Sequence, residues 1–413
     1  MSWVIGDVSA SETLTDNDHL YPSHINELRT SIEASLQPII NVKDYGALGD
    51  GTTNDTTALN TALAVGGYIF FPAGTYLITT QLRYTSNSYI VGAGRGKTII
   101  KLKNGSNPGS SIFMMVHETD GAVPASGDYV SNVTIAHMSF NGNTANNTGT
   151  VDGVTVSGCR DGILYDIEAY NCSEVGIVVS STFASDNIDH GFNAAYFCIA
   201  HNNTTDGFQM ATGLLMGCRS YDNGANGMQV VAAYSTVSKQ AYAIITGCSI
   251  YSNTSHGITV AAQGGADQFP VTITGCSIHY NTGDGIAQVL EQGTISNNLI
   301  TYNGEAGIRV TKNYNNISNN IIKNNGKVGA SYTVGIMVVG DRKYLNVMNN
   351  VCTDDQTPKT QTYGISETGL SAPDTNNRNN IAYNQFSGNL TAGILPAMAA
   401  RTTVYTFVNN VNS

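Results

Sequence analysis

Positive charge is scarce in this chain. Lys and Arg number 19 among 413 residues against 30 Asp and Glu, the net charge is −11, and no Lys/Arg cluster occurs. Phosphate binding needs concentrated positive charge, so nucleic acid is not an expected partner. Long apolar runs are missing too. No stretch approaches the roughly 18 residues of a spanning helix, so no membrane insertion is expected. The opening residues MSWVIGDVSASETLTDNDHLY carry neither a basic flank nor an apolar stretch, and no secretory signal is expected. The seven cysteines form neither a CxxC pair nor a Cys/His zinc spacing. Small buried thiols are therefore expected in place of a disulfide framework. TDNDH at 15–19 and TDDQT at 353–357 offer oxygen ligands, but neither is a calcium loop. No metal site and no cofactor are expected.

Proline, at 9 residues, is also rare, whereas Gly reaches 44 and Asn, Thr and Ser are frequent. That balance suits many short strands joined by tight turns, where Gly and Asn supply positive φ at low cost. A repeat gives the pattern its order: Cys or Asn, four residues, Asn, three residues, Gly, then a strand. It fits Cys198–Asn203–Gly207, Cys218–Asn223–Gly227, Cys248–Asn253–Gly257 and Cys276–Asn281–Gly285. It continues at Asn298–Asn303–Gly307 and Asn320–Asn325–Gly329, with insertions placed between units. Stacked units of roughly 20–30 residues specify an all-β right-handed parallel β-helix, a solenoid whose core grows along one axis. Ile250, Ile278, Ile300 and Ile322 should stack in register inside it. The cysteines should form a buried ladder, and the asparagine amides should bond from coil to coil.

Three segments follow from this reading. Residues 1–40 carry a short amphipathic helix, with Ser23 as cap and Ile25, Leu28, Ile32 and Leu36 on one stripe. A lone helix of about 13 residues is marginal in water, so it is expected either to cap the first coil or to serve as a leader for attachment or oligomerisation. Residues 41–395 form the β-helix, and 396–413 a short strand segment. Asp55 is the expected N-cap of a helix through Leu63, and GAGRGKT at 92–98 is a turn between strands: a phosphate loop would need Gly where Val91 stands.

At NVKDYGALGDG (41–51) and FFPAGTYLI (70–78) the chain resembles the pectate-lyase-like superfamily of β-helical proteins, over roughly residues 41–390. Its members include bacteriophage tailspikes and mannuronan C5-epimerase catalytic modules. In the epimerases a D-P-H-E motif does the chemistry. The matching stretch here is VGIVVSS, which puts Val178 at the aspartate position and Ser180 at the histidine position. Neither side chain can move a proton from C5 of a uronate, so that activity is not expected. The polygalacturonase set N-T-D, D-D, G-H-G and R-I-K is missing as well. A β-helix without a secretory signal is ordinary in a virion. The tailspike resemblance thus implies a virion-tail or extracellular location, a homotrimer, and attachment through residues 1–40.

One outer face of such a helix is long and shallow and suits a linear glycan. After each repeat Gly, the outward positions are Gln209, Gln229, Thr259, Ala287 and Arg309. Just before it sit Asp206, Asn226, His256, Asp284 and Ala306. With coils about 4.8 Å apart, His256, Asp284, Glu305 and Arg309 should form one patch. Candidate catalytic residues are Asp284, Glu305, His256 and Asp206. Arg309, Gln209, Gln229, Asp189 and His190 are candidate substrate contacts, with Glu174 and Glu291 as further carboxylates. Paired carboxylates serve a hydrolase, whereas a lyase wants a base with Arg309 neutralising a uronate. Asp-Gly and Asn-Gly are also turn signals, so the turn reading and the site reading both stand here. The expected function is a tailspike-like protein that binds and depolymerises a bacterial surface polysaccharide. Its rivals are a secreted lyase or glycoside hydrolase acting on an acidic glycan, and a fibre or adhesin that only binds.

Overall fold

The computed structural model describes residues 38–107, 112–117, 130–156, 159–179, 192–233, 242–263, 268–289, 291–327, 332–369, 378–400 and 405–412. The expected leader helix at 24–36, Ser180, Asp189 and His190 lie outside these residues. Strands pair in parallel from coil to coil, each with its counterpart one turn along the chain, in a 12-stranded sheet and a 26-stranded sheet. The larger sheet folds into two walls. Cys159–Tyr170 shows how: residues 163–165 pair with Ala194–Tyr196, and residues 168–170 pair with Ile199–His201. Between the two halves Asp166 sits at φ 52°, and this left-handed residue turns the corner. We call the 12-stranded sheet wall I and the two halves of the larger sheet walls II and III. The parallel connections carry the right-handed sense that such crossovers adopt.

The helix begins at Ile39–Asn41, already paired with Gly67–Phe71. At its other end, Tyr405–Val408 pairs with Asn379–Ala382 and Val411–Asn412 with Gln385–Ser387. The last segment therefore continues the same coil, beyond the boundary at 395. Near the start, the helix Thr56–Leu63 buries Leu59, Ala62 and Leu63. Asp55 precedes it as expected but makes no side-chain cap. Its carboxylate accepts the amides of Leu48 and Gly49 instead, at 2.7 and 3.2 Å. The Thr56 amide turns to Asn54 Oδ1. Tying down the preceding loop outcompetes capping because two strong donors converge on one buried carboxylate.

Inside, Ile250, Ile278, Ile300 and Ile322 are in register and fully buried. The cysteine ladder is present as well, with Cys198, Cys218, Cys248 and Cys276 buried and free. Each thiol points at the carbonyl two residues before it; Cys248 Sγ, for example, lies 3.4 Å from Thr246 O. A hydrogen bond with the thiol one coil earlier, and then burial, raise the Cys248 and Cys276 pKa, which disfavours the reactive thiolate. The asparagines form two ladders of buried amides. One runs Asn203, Asn223, Asn253, Asn281, Asn303, Asn325, with each Nδ2 donating to the next Oδ1 at 2.9–3.0 Å. The other runs Asn298, Asn320, Asn350, Asn384, Asn410. It takes over where the cysteines stop, as the Cys276 amide donates to Asn298 Oδ1.

One repeat unit departs from the expected spacing. Ile308 pairs with Ile336, so the Gly that follows Asn325 in the coil is Gly335 and not Gly329, which lies outside the described residues. The insertion thus falls inside this coil, between its Asn and its Gly. It carries Tyr332 out beside wall I.

Candidate functional site

Wall I places Phe208, Met228, Ile258, Ile286 and Ile308 in the core, each fully buried. The next residues point outward in register: Val178, Gln209, Gln229, Thr259, Ala287, Arg309 and Met337. Gln209 Nε2 faces Gln229 Oε1 at 3.5 Å. Beyond Arg309 the outer face turns apolar, with Met337, Ala306 and Val334 packed with Tyr332 and Tyr363 in a cluster of their own. The polar stripe therefore ends against a hydrophobic shoulder.

The pre-glycine column resolves how the turn and site readings relate. Each acceptor in it takes the backbone N–H at the same position one coil later. Asp206 Oδ1 accepts from Asn226 N at 2.7 Å, and Asn226 Oδ1 from His256 N at 3.2 Å. His256 Nδ1 accepts from Asp284 N at 2.9 Å, and Asp284 Oδ1 from Ala306 N at 3.0 Å. Asp152 does the same for Val175 at 2.9 Å. Residue types here are those that can accept an amide proton, so the column is first a turn ladder. It breaks at Val175 and Ala306, which have no acceptor.

At His256 and Asp284 the ladder carries something more. Asp284 has no exposed surface, and its Oδ2 accepts from Arg309 Nε at 2.6 Å while lying 3.3 Å from His256 Nδ1. Burial pushes the Asp284 carboxyl above its ordinary range, and Arg309 pulls against that shift. His256 moves the other way: burial and then the Arg309 charge lower its pKa, against the pull of Glu305. A neutral ring with Nδ1 accepting an amide proton carries its hydrogen on Nε2. Arg309 lies 5.9 Å from the Tyr332 ring centroid. His256, Asp284, Glu305 and Arg309 are thus brought together. Asp206 lies three coils away, about 14 Å by strand spacing, and Gln209 and Gln229 line the approach. Glu291 binds Asn313 at 3.0 Å, away from the cluster.

The ligand atoms of His256, Asp284 and Glu305 lie within 4.8 Å of one another, a spacing that admits a metal ion. The donor set does not fit one. Nδ1 of His256 and Oδ1 of Asp284 hold backbone amides, and Oδ2 of Asp284 holds a guanidinium, so a cation would have to displace Arg309. TDDQT at 353–357 is likewise committed: Asp354 accepts the amides of Gln356, Thr360 and Gln361.

Sequence reading placed Asn226 in the pre-glycine column but missed its bond to Thr259, and it missed Tyr332. Asn226 accepts the Thr259 hydroxyl at 3.0 Å and so orients it. Its Asn-Gly signature indicated a turn and gave no sign of this. Tyr332 sits in an insertion whose position in the coil only pairing could reveal.

Comparisons with known proteins agree with this architecture. Residues 39–229 match the family model described as Rhamnogalacturonase A/epimerase, pectate lyase-like, and residues 236–411 match that of the right-handed beta helix region. The mannuronan C5-epimerase AlgE5 of Azotobacter vinelandii is 33% identical over 213 residues, covering 47% of this chain and 20% of that protein. The chain thus spans about a fifth of the length of such curated relatives. The pre-neck appendage protein of Bacillus phage phi29 is 26% identical over 149 residues, 34% of this chain and 16% of that protein. Among solved structures, the A-module of Azotobacter vinelandii epimerase AlgE6 superposes with a TM-score of 0.70 at 22% identity, covering 90% of this chain and 98% of that one. Tailspike protein 3 of bacteriophage CBA120 gives 0.59 at 14% identity, covering 93% and 62%. Val178 is a nearly buried residue of wall I. The chain is a pectate-lyase-like right-handed β-helix protein, with both epimerase modules and phage appendages among its relatives.

Proposed function

We propose that this protein is a tailspike-like virion component that binds a bacterial surface polysaccharide along wall I and cleaves it at the Arg309 end. The observation that carries the reading is the outward column Gln209, Gln229, Thr259, Ala287, Arg309, polar at every position but Ala287, which ends against the Tyr332 cluster. Amides, hydroxyls and a guanidinium match the hydroxyl-rich edge of a glycan. Kinship with a phage appendage and likeness to a tailspike favour the virion setting, in which a trimer attached through the N-terminal segment is expected.

The chemistry favoured is elimination. Two-carboxylate hydrolysis needs both groups at the sugar, and Asp284 is fully buried behind Arg309. In this reading Arg309 neutralises a uronate carboxylate, Glu305 takes the C5 proton as the C4–O bond breaks, the departing oxygen takes its proton from Glu305 or from water, and the Nε2–H of neutral His256 holds the substrate by a hydrogen bond. Asp284 positions Arg309. Incubation with a panel of capsular and uronate glycans tests it: unsaturated products absorbing in the ultraviolet are expected, and Glu305→Gln should abolish them while leaving retention intact. New reducing ends without that absorbance would replace the lyase with a hydrolase. Retention with no cleavage would make the protein a binding fibre, and no retention at all would sink the wall I reading.

A further inference from the structure

A second surface lies on the corner between walls II and III, away from wall I. In the corner column the left-handed residues include Gly217, Gly247, Gly275, Asn297, Asn319 and Asn349, the types that adopt positive φ cheaply. Phe197 occupies the same column at φ 54° and is 49% exposed. A bulky side chain in that conformation is uncommon; in this column His137, Asp166 and Tyr383 also hold positive φ with larger side chains. Its ring lies against the next corner residue, since a Cβ on Gly217 would come within 2.6 Å of it. Tyr165, 39% exposed, meets Phe197 edge to face at 5.9 Å, and His137 meets Tyr165 the same way at 5.3 Å.

Charged groups border these rings. Asp166 lies between them in the chain of corners and binds Arg95 at 2.7 Å and His137 at 2.8 Å, with a quarter of its side chain still exposed. Glu168, comparably exposed, accepts from Ser139 at 2.7 Å and pairs with His201 Nε2 at 3.4 Å. The GAGRGKT turn delivers Arg95: Gly94 N donates to His137 O and Gly96 N to Ser139 Oγ. Carboxylates oriented from behind, with aromatic faces left in water, suit one kind of molecule. A pyranose has an apolar C–H face, which the negative face of an aromatic ring attracts. It also has a rim of hydroxyls, which carboxylates accept. A protein partner would need roughly 800 Å² of matching surface, and the patch spans only about three coils.

We infer that Phe197 and Tyr165, with Asp166 and Glu168 beside them, form a second glycan-contact site that takes one or two sugar residues. It does not depend on the wall I site. The test uses Phe197→Asn, a substitution that suits the corner because Asn297, Asn319 and Asn349 already hold it, and so keeps the fold. An array of neutral, amino-sugar and uronate hexasaccharides is probed with the intact chain, F197N, R309A and the double variant, together with light scattering. Expected are a thermal midpoint for F197N no lower than the parent's, retention by R309A on at least one hexasaccharide, and about tenfold weaker binding of that sugar by F197N. The double variant should retain none. Retention unchanged by F197N overturns the site while leaving wall I untouched, and loss of all retention in R309A, assayed below the onset of its own thermal unfolding, does the same. No retention by the intact chain overturns both sites. Conversion of an oligomer to monomers by F197N would assign the ring to a contact between copies and overturn the sugar reading.

Discussion

Replacing Arg309 by Met should destabilise the protein by leaving the buried Asp284 carboxylate without its cation. Asp284 is fully buried, and its carboxylate has two partners beyond the adjacent imidazole: Arg309 Nε at 2.6 Å and the Ala306 amide at 3.0 Å. Removing the guanidinium leaves a buried charge with one hydrogen bond, facing the lone pair of His256 Nδ1 at 3.3 Å. Breaking a buried pair from one side costs about 3–5 kcal/mol. Arg309 is 21% exposed, which puts the expectation at the lower end, about 3 kcal/mol. Asp284→Asn keeps an acceptor for Ala306 and should cost less, and the double variant should recover much of the loss, with a coupling of about 1.5 kcal/mol or more. The sign of the pH dependence follows from burial. The Asp284 carboxyl is already held above its ordinary 3.8, and without Arg309 it rises further. Stability from a raised carboxyl is complete below 3.8 and lost as pH rises through the folded value. The R309M deficit should therefore be full at pH 7 and shrink toward pH 4. Denaturant unfolding at both pH values measures it, with hydrogen exchange at the Ala306 amide as a local readout, because a solenoid need not unfold in one step. A deficit below about 0.5 kcal/mol at pH 7, or purely additive singles, would refute the reasoning.

Two further perturbations reach other parts of the ladder system. Asn281→Ala removes the Oδ1 that accepts the Asn253 backbone N–H at 3.1 Å, and both hydrogen bonds donated by Nδ2. A cost of about 2–4 kcal/mol is expected, with accelerated exchange at Asn253; a thermal midpoint unchanged from the parent would show the amide ladder to be dispensable. Nitrogen-15 NMR of His256 should show the Nε2–H tautomer titrating below 6.5. Because this pKa is depressed on folding, the associated stability is complete above 6.5 and lost as pH falls below it. An Nδ1–H tautomer at neutral pH would contradict the turn ladder.

Sequence alone determined the coil. The spacing of Cys or Asn, Asn and Gly in a chain poor in charge and Pro admits one economical solution, because each position has a single cheap occupant. A thiol or amide fills the buried corner, an amide bridges to the next coil, and Gly lets the backbone pass closely. Local chemistry of that kind repeats with the chain and can be read from it. It also located His256, Asp284, Glu305 and Arg309 on adjacent coils, since register converts sequence offset into distance. Tertiary structure decided the rest. Asp55 ties a loop instead of capping its helix, and the coil after Asn325 closes at Gly335 because its insertion lies within the turn. Only packing shows that Asp284 has no surface and stands behind Arg309, or that Phe197 holds a ring in water between the corners at Asp166 and Gly217. Burial and the direction of a side chain depend on what other coils place around it, and that is set by residues far away in the sequence.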